Sequence, residues 1–474
     1  MKPFAQVLSD SEIYQIHIAS MELLSDVGFA VHEDEALDIY EKGGAIVDRE
    51  TRVAKFPVQM VNEALAKCNP YINLYNTDNT LAMAVGGENV YMGTVGYASY
   101  GHDWRNDVVR ETTCESFAEV MRVCEVLPYP QFMMYPGCPT DIPIEKSDRY
   151  QAKIALLNSK KPCIPQSYGR RETIDIIEMA AIAHGGMDNL VAHPSIAFLI
   201  TCTSPLVIRL DAAETIIESA KLQIPLAIES GPMIGATSPI TMASGIALQN
   251  AEVMAHIILA KLVNPLVPII YGSWCRLFDM RFGNVSLGCP ELALMRVANA
   301  QMARYYRLPV FGGGCLSDVN SIDAQLGWEK MLTSVVPALG HCNMISGMGM
   351  IGQEDTFSCE CMVLDNEVAE IVMHLLKGFK IDEEHLALDV IREIGHGGTQ
   401  FVSTKHTKRH YKEEVFLPKL SDRSVPAEWV NDGAKNVSVV AKEQVAAYLE
   451  KWERPDIPDD AEERMQAIID NSPV

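Results

Sequence analysis

The chain has 474 residues, 48% of them hydrophobic, with a mean hydropathy of +0.04, which is ample material for one large domain or a barrel with added segments. Its formal charge is -23, from 39 Lys and Arg against 62 Asp and Glu, and this balance excludes unspecific binding to nucleic acid or to an anionic membrane, each of which needs a basic footprint. Twelve cysteines lie scattered rather than at disulfide-framework spacings, and Met1-Lys2-Pro3-Phe4-Ala5-Gln6 opens no apolar signal segment, so a reduced, cytoplasmic protein is expected.

Ile13, Ile16, Met21, Leu24 and Val27 recur at helical spacing over residues 9 to 28, with Ser9 or Asp10 as the cap. Pro57 to Leu65 reads as a short helix, and Tyr71 to Ala84 as a β-hairpin around Asn76-Thr77-Asp78-Asn79. An N-terminal helical region with a hairpin is therefore expected over residues 1–87.

From about residue 88 the pattern changes. Short apolar runs ending in Gly, Ser or Pro recur at intervals of about 30 to 43 residues: Val90–Val95, Gln131–Tyr135, Lys161–Gln166, Ser195–Thr201, Pro225–Glu229, Pro268–Gly272, Pro309–Gly313 and Asn343–Gly347. Helical periodicity fills the gaps, as in Ile174–His184, Ala212–Leu222, Gly245–Leu262 and Pro290–Tyr306. Eight strand-then-helix units predict an α/β fold, a (β/α)8 TIM barrel over residues 88–364, with a helical extension over 365–474 packed on its outside or over one rim. The longest apolar runs, Ser195–Leu210 and Met254–Gly272, are broken by Ser204-Pro205 and by Lys261, Asn264 and Pro265, so neither reads as a membrane span.

In such a barrel the residues after each strand converge on one face. The stretch Pro309-Val310-Phe311-Gly312-Gly313-Gly314-Cys315-Leu316-Ser317-Asp318 is the clearest of these strand ends. Its glycines let backbone approach a ligand closely, although an ordinary tight turn explains them too. Other strand ends contribute Tyr97, Tyr100, Trp104, Tyr135, Gln166, Tyr168, Cys202, Ser204, Glu229, Tyr271, Trp274, Phe282, Ser346 and Met348. An aromatic mouth with little positive charge attracts quaternary ammonium through the ring quadrupoles, while core or rim packing is the plainer reading for any single ring. Glu229 is either a ligand-facing carboxylate or the partner of a neighbouring Arg. The Cys359-x-Cys361 pair faces two directions on a helix, no run has zinc-site spacing, and no P-loop or dinucleotide fingerprint occurs. The basic stretch Gly395 to His410, with His396-Gly397-Gly398, Lys405, Lys408 and Arg409, is a local cationic patch for an anionic partner or cofactor tail, or a solvated loop.

Several motifs together resemble the trimethylamine methyltransferase family over about residues 5 to 450: Ser204-Pro205-Leu206, Gly235-Ala236-Thr237-Ser238-Pro239-Ile240-Thr241, Gln249-Asn250-Ala251-Glu252, Asn264-Pro265, Tyr271-Gly272, Gly288-Cys289-Pro290-Glu291, Tyr305-Tyr306, Leu308-Pro309, Ser317-Asp318, Asp323-Ala324-Gln325, Leu364-Asp365-Asn366 and His406-Thr407. The resemblance implies a TIM-barrel enzyme that moves a methyl group from an amine to the cobalt of a separate corrinoid protein. It holds no tightly bound cofactor of its own, since the corrinoid (cobalamin) comes with the partner. The trimethylamine-specific branch carries a pyrrolysine near the position of Gly314, Cys315 and Leu316, where this sequence has ordinary residues, so it resembles the branch acting on betaines.

A quaternary ammonium already has a neutral leaving group, and the protein need only orient it and exclude water. The resemblance thus implies a quaternary-amine methyltransferase in one-carbon metabolism, with glycine betaine first and proline betaine, carnitine or γ-butyrobetaine as alternatives. Tyr97, Tyr100, Tyr271, Trp274 and Phe282 are expected to wall the ammonium. Glu229, Cys315 and Asp318 are the expected catalytic residues. Gln166, Arg276, Arg281, His102 and the amides of Gly312, Gly313 and Gly314 are options for a carboxylate. No metal, nucleic acid or membrane partner is expected, and the chain is expected to form a homo-oligomer. A zinc-dependent corrinoid methyltransferase, a corrinoid-independent lyase or isomerase and a non-catalytic amine-binding protein are the competing readings.

Overall fold

Ser9 starts the first helix. Its hydroxyl accepts the Glu12 amide while the Glu12 carboxylate takes the Ser9 amide at 2.7 Å, a reciprocal cap on Asp10–Glu22. The computed structural model describes residues 4–397 and 400–472; Gly398 of the Gly-rich stretch falls outside the described residues. The expected short helix is Val58–Leu65, and the expected hairpin pairs Ile72–Tyr75 with Leu81–Val85. A further strand, Phe29–Val31, runs parallel to Val207–Ile208 and stitches the N-terminal region to the central sheet's loops.

All eight apolar runs contain strands. They are β1 (Tyr91–Thr94), β2 (Met133–Met134), β3 (Cys163–Ile164), β4 (Phe198–Cys202), β5 (Leu226–Ser230), β6 (Ile269–Ser273), β7 (Val310–Gly313) and β8 (Met344–Met348). Six form one parallel sheet in the order β4-β5-β6-β7-β8-β1, and β2 pairs with β3 in a separate two-stranded parallel ladder. Single parallel bridges, Gly93 to Phe132 and Cys163 to Ile196, link the two pieces. The expected barrel is thus not one continuous closed ladder among the described residues. Pro130 and Pro136 bracket β2 and Pro162 and Pro165 bracket β3, and proline has no N–H to give a ladder.

Each strand is followed by a helix. The one after β7 begins at Ala324, where the Asp323 carboxylate caps the amides of Gln325 and Leu326. Helix Met242–Val263, after β5, is long and apolar enough to cross a membrane by length and composition alone. It is instead a core helix, buried from Gly245 to Lys261 under the helices Asp10–Glu22, Val58–Leu65 and Leu210–Lys221. Helix Cys359–Lys377 follows β8 and runs unbroken across residues 364 and 365. Helices Val437–Lys451 and Ala461–Asn471 then pack back on the outside, where the Trp452 indole donates to the Asn158 carbonyl at 2.9 Å.

Sequence periodicity missed what stands over the carboxyl ends of the strands. Strands Tyr100–Asp103, Val108–Glu111, Met350–Ile351 and Thr356–Ser358 make one small sheet; Met233–Ile234, Arg276–Asp279 and Asn284–Ser286 make another. Asp318 ties the second of these to the loop after β7, accepting from the Ser286 hydroxyl and the Leu287 amide, both at 2.6 Å. The ends of β7 and β8 are clamped from behind by a fully buried ion pair. Lys330 Nζ lies 2.6 Å from Asp365 and also donates to the Cys315 carbonyl at 3.0 Å, while Asp365 accepts the Gly349 amide at 2.7 Å.

Removing one partner of such a pair strands the other charge in the core. Asp365→Ala is expected to destabilise the fold by about 3–5 kcal/mol, read as a lowered midpoint in denaturant or thermal unfolding; an unchanged midpoint would show that the clamp contributes nothing.

Candidate active site

Alternation along the strands decides which side chains enter the middle of the molecule. A Cβ on Gly272 would lie 2.5 Å from the Glu229 Cβ, one on Gly313 2.6 Å from the Trp274 ring, and one on Gly93 2.6 Å from the Phe132 ring. These three glycines face inward and leave the space that Glu229, Trp274 and Phe132 fill. Phe311 completes the group, stacked on Trp274 at 6.3 Å and 22° and edge-on to Phe132 at 6.3 Å.

Four charged residues share this place. Glu229 is 5% exposed; one carboxyl oxygen accepts weakly from the Thr201 hydroxyl at 3.5 Å, and the other has no partner among the described residues. Burial pushes its carboxyl up to about 8, against the opposing pull of Arg296 and Arg276. Burial likewise pushes Glu354 up to about 7 against Arg276 and Arg296, and its Oε1 is unpartnered among the described residues. Glu354 holds a φ of +72°, a conformation disfavoured for a residue with a side chain.

Arg296 comes from the helix Pro290–Tyr305 behind β6 and β7. Its Nε donates to the Gly313 carbonyl at 2.8 Å and its Nη1 to the Ser273 hydroxyl and the Cys275 carbonyl at 3.0 and 2.9 Å; its guanidinium carbon lies 5.7 Å from the Trp274 ring centre. Nη2 has no partner among the described residues, and the same holds for Arg276 Nε, the Tyr97 hydroxyl and the Ser346 hydroxyl. Burial also raises the Tyr97 phenol, which neighbours Tyr168, Asp148 and Glu229. Buried polar atoms are normally paired, so donors and acceptors left open together mark the place for a polar ligand. Glu229 and Trp274 are only 5% and 7% exposed, so the cluster is closed to solvent.

A family model described as trimethylamine methyltransferase matches residues 1–472. The chain belongs to this family. It is 32% identical to a trimethylamine methyltransferase of Desulfitobacterium hafniense, over 98% of this chain and 93% of that one. It is 31% identical to a glycine betaine methyltransferase of the same species, over 91% and 89% of the two chains. Among solved structures, the monomethylamine methyltransferase of Methanosarcina barkeri superposes with a TM-score of 0.50 at 12% identity, covering 95% of each chain, a likeness of fold. At all 474 positions this family member has ordinary residues, with Gly314, Cys315 and Leu316 after β7.

Of the residues expected at the mouth, Tyr97, Glu229 and Trp274 meet in the central cluster, with the Gln166 backbone beside Tyr97. Others are elsewhere. Tyr271 alternates with Gly272 and so points out of the sheet, fully buried against the core helix, where its hydroxyl donates to Asn250 Oδ1 at 3.0 Å. Tyr100 lies on an inner strand of the first small sheet, 39% exposed, and Phe282 caps a hairpin turn at 79% exposure, with Arg281 over its ring. Neither belongs to the buried central cluster. Cys315 lies behind β7 beside Lys330 and Asp365, and burial pushes its thiol up to about 12, so it carries no thiolate for nucleophilic work.

Asp318 is spent on the Ser286 and Leu287 contacts. Gly312 and Gly313 sit inside the β6-β7-β8 ladder, giving room to Arg296 and Trp274 rather than free amides. His102 lies between Glu360 and Asp107, and Arg281 pairs with Asp279, so neither reaches the centre. Periodicity had no means of finding Arg296 and Glu354, since one is a helix residue and the other a loop residue.

Between about pH 4.5 and 8 the folded protein keeps a proton on Glu229 that the unfolded chain has lost, so this group makes stability fall as pH rises through that window, by up to about 1.4 kcal/mol per unit. Glu229→Gln removes the dependence. Its unfolding free energy relative to wild type is expected to rise from pH 5 to pH 8; a parallel pH profile for the two proteins would refute the buried protonated carboxyl.

Proposed function

We propose that the protein transfers a methyl group from a quaternary ammonium compound that also carries a carboxylate, glycine betaine first, to the Co(I) of a corrinoid borne by a separate protein. One observation carries the choice of substrate: unpaired guanidinium N–H groups on Arg276 and Arg296 share a buried site with unpaired carboxyl oxygens on Glu229 and Glu354 beside the Trp274 ring. A zwitterion satisfies both sets, its carboxylate taking the guanidinium donors and its trimethylammonium meeting the carboxyls and the indole face. The glycine betaine relative and the ordinary residues after β7 support the same reading.

The chemistry asks little of the protein beyond placement. The reduced corrinoid supplies the nucleophile, whose electron pair forms the bond to the methyl carbon as the C–N bond breaks and its pair stays on nitrogen, leaving a neutral tertiary amine. No proton moves. Glu229 and Glu354 therefore balance charge rather than act as acid or base, and ionise as the cation arrives. Trp274 and Phe311 hold the methyl donor and keep water from the reacting carbon. The ring of eight strands serves as a (β/α)8 barrel in which β2 and β3 complete the wall. Entry of the donor and approach of the corrinoid require the two small sheets over the strand ends to part.

The test is incubation with a Co(I) corrinoid protein and a panel of glycine betaine, proline betaine, carnitine, γ-butyrobetaine, choline and trimethylamine, following the change from Co(I) to methyl-Co(III). A betaine is expected to react; reaction of trimethylamine with no betaine reacting overturns the proposal. Arg276→Gln is expected to raise the KM for the reacting betaine roughly 10- to 100-fold, the loss of one charge-assisted contact, with little effect on any choline turnover. Equal losses for both substrates would show that Arg276 does not read the carboxylate.

A further inference from the structure

The two small sheets over the strand ends share an anchor, the loop after β7. The Ser317 hydroxyl and the Asp318 amide of that loop both donate to the Glu329 carboxylate, at 2.6 and 2.8 Å, which ties it to the helix Ala324–Leu339. One sheet hangs from the loop by the Asp318 carboxylate, through Ser286 and Leu287. The other hangs from it by backbone, since the Val319 carbonyl accepts the Gly352 amide at 2.7 Å and the Ser317 carbonyl the Gln353 amide at 3.4 Å. The sheets also meet each other directly. Asn284, paired with Asp279 in its hairpin, donates through Nδ2 to Gln353 Oε1, while its own Oδ1 accepts the Val285 amide at 2.8 Å and so fixes the direction of the side chain.

Gln353 belongs to the turn 352–355, which joins the strands Met350–Ile351 and Thr356–Ser358. Gly352, Gln353 and Glu354 follow one another at φ of +61°, +60° and +72°, so two residues with side chains stand in the left-handed region, a conformation that contacts from outside the turn must hold. Neighbouring side chains then part company: Gln353 goes to Asn284 and Glu354 into the central cluster. The turn is thin. Gly352, Gln353 and Glu354 are half-buried and Asp355 is exposed, yet Glu354 Oε1 is shut away from solvent. Arg276, on the same hairpin as Asn284, is among the charges that this carboxyl faces, so each sheet brings one charge to the site and one amide to the contact between the sheets. We propose that Gln353 and Asn284 are positioning residues of the donor site: their contact latches the turn 352–355 shut and so sets the Glu354 carboxyl against the bound cation, and its release opens the way by which the donor enters and leaves. The inference rests on the reading of the central cluster as the donor site. A cation held under the turn gives Glu354 a partner that it has only in the closed state, so a filled site favours closure.

Two measurements on the full chain test it. Hydrogen exchange needs neither donor nor corrinoid: Asn284→Ala and Gln353→Ala are each expected to speed exchange of the Gly352 and Gln353 amides about three- to tenfold, the loss of one neutral hydrogen bond, while the amides of β5 exchange as in wild type. Calorimetry with glycine betaine, again without corrinoid, is expected to give a dissociation constant raised about three- to tenfold in each variant, and the double variant is expected to be no worse than either single one, since both remove the same contact. Asn284→Asp combined with Gln353→Arg rebuilds the contact as an ion pair and is expected to return both values towards wild type. Exchange and affinity equal to wild type in the two single variants overturn the latch, and so do losses that add in the double variant. A wild type that binds glycine betaine with unchanged variants fails the latch alone, whereas a wild type that neither binds nor demethylates any betaine fails the donor-site reading and this inference with it.

Discussion

Holding a guanidinium out of water without a carboxylate against it is the constraint around which this molecule is built. Arg296 is fully buried, and it is kept there by the Gly313 and Cys275 carbonyls and by the Ser273 hydroxyl, neutral acceptors that leave Nη2 open. Ser273 is itself held by Gln249 at 2.8 Å and Asn299 at 2.6 Å, and Gln249 reaches Asn299 at 2.9 Å. The network continues outward through Tyr271, Asn250 and Tyr306 to His17 of the first helix. The N-terminal layer thereby has a function of position, because it closes the far end of a hydrogen-bond chain whose near end aims one cation into the middle of the sheet.

Burial that raises a carboxyl also keeps it available. Glu229 and Glu354 hold their protons in a dry place, so the site avoids two uncompensated anions. The two small sheets stand over the carboxyl ends of the strands. Their closure depends on Asp318 in the loop after β7, so the segment that supplies Gly313 beneath Trp274 also secures the cover above it.

The contrast between Glu229 and Tyr271 shows where reading along the chain succeeds and where it stops. Both lie near the end of an apolar run, and both run ends were recognised as strand ends. Along β6 the side chains alternate, however, so Gly272 faces Glu229 inside while Tyr271 turns outward to Asn250. Cys315 fails for a related reason, since two residues past the strand its backbone turns at a φ of +56° and its thiol ends behind the sheet beside the Lys330–Asp365 pair. Tyr100 and Phe282 belong to hairpins too short and too polar to announce themselves, and their rings follow those hairpins to the surface.

What the sequence determined by itself is what repeats or what is local: the eight apolar runs and their order, the helices between them, the cap at Ser9, and the family, carried by motifs spread along the whole chain. Tertiary structure alone decided the faces and the company each residue keeps. It placed a helix arginine and a loop glutamate against Glu229, and broke the ladder at the proline-bracketed β2 and β3. The physical reason is that hydrophobic periodicity records only whether a side chain is to be buried. Which buried groups meet depends on register and on packing between segments far apart in the chain, and no local pattern encodes that.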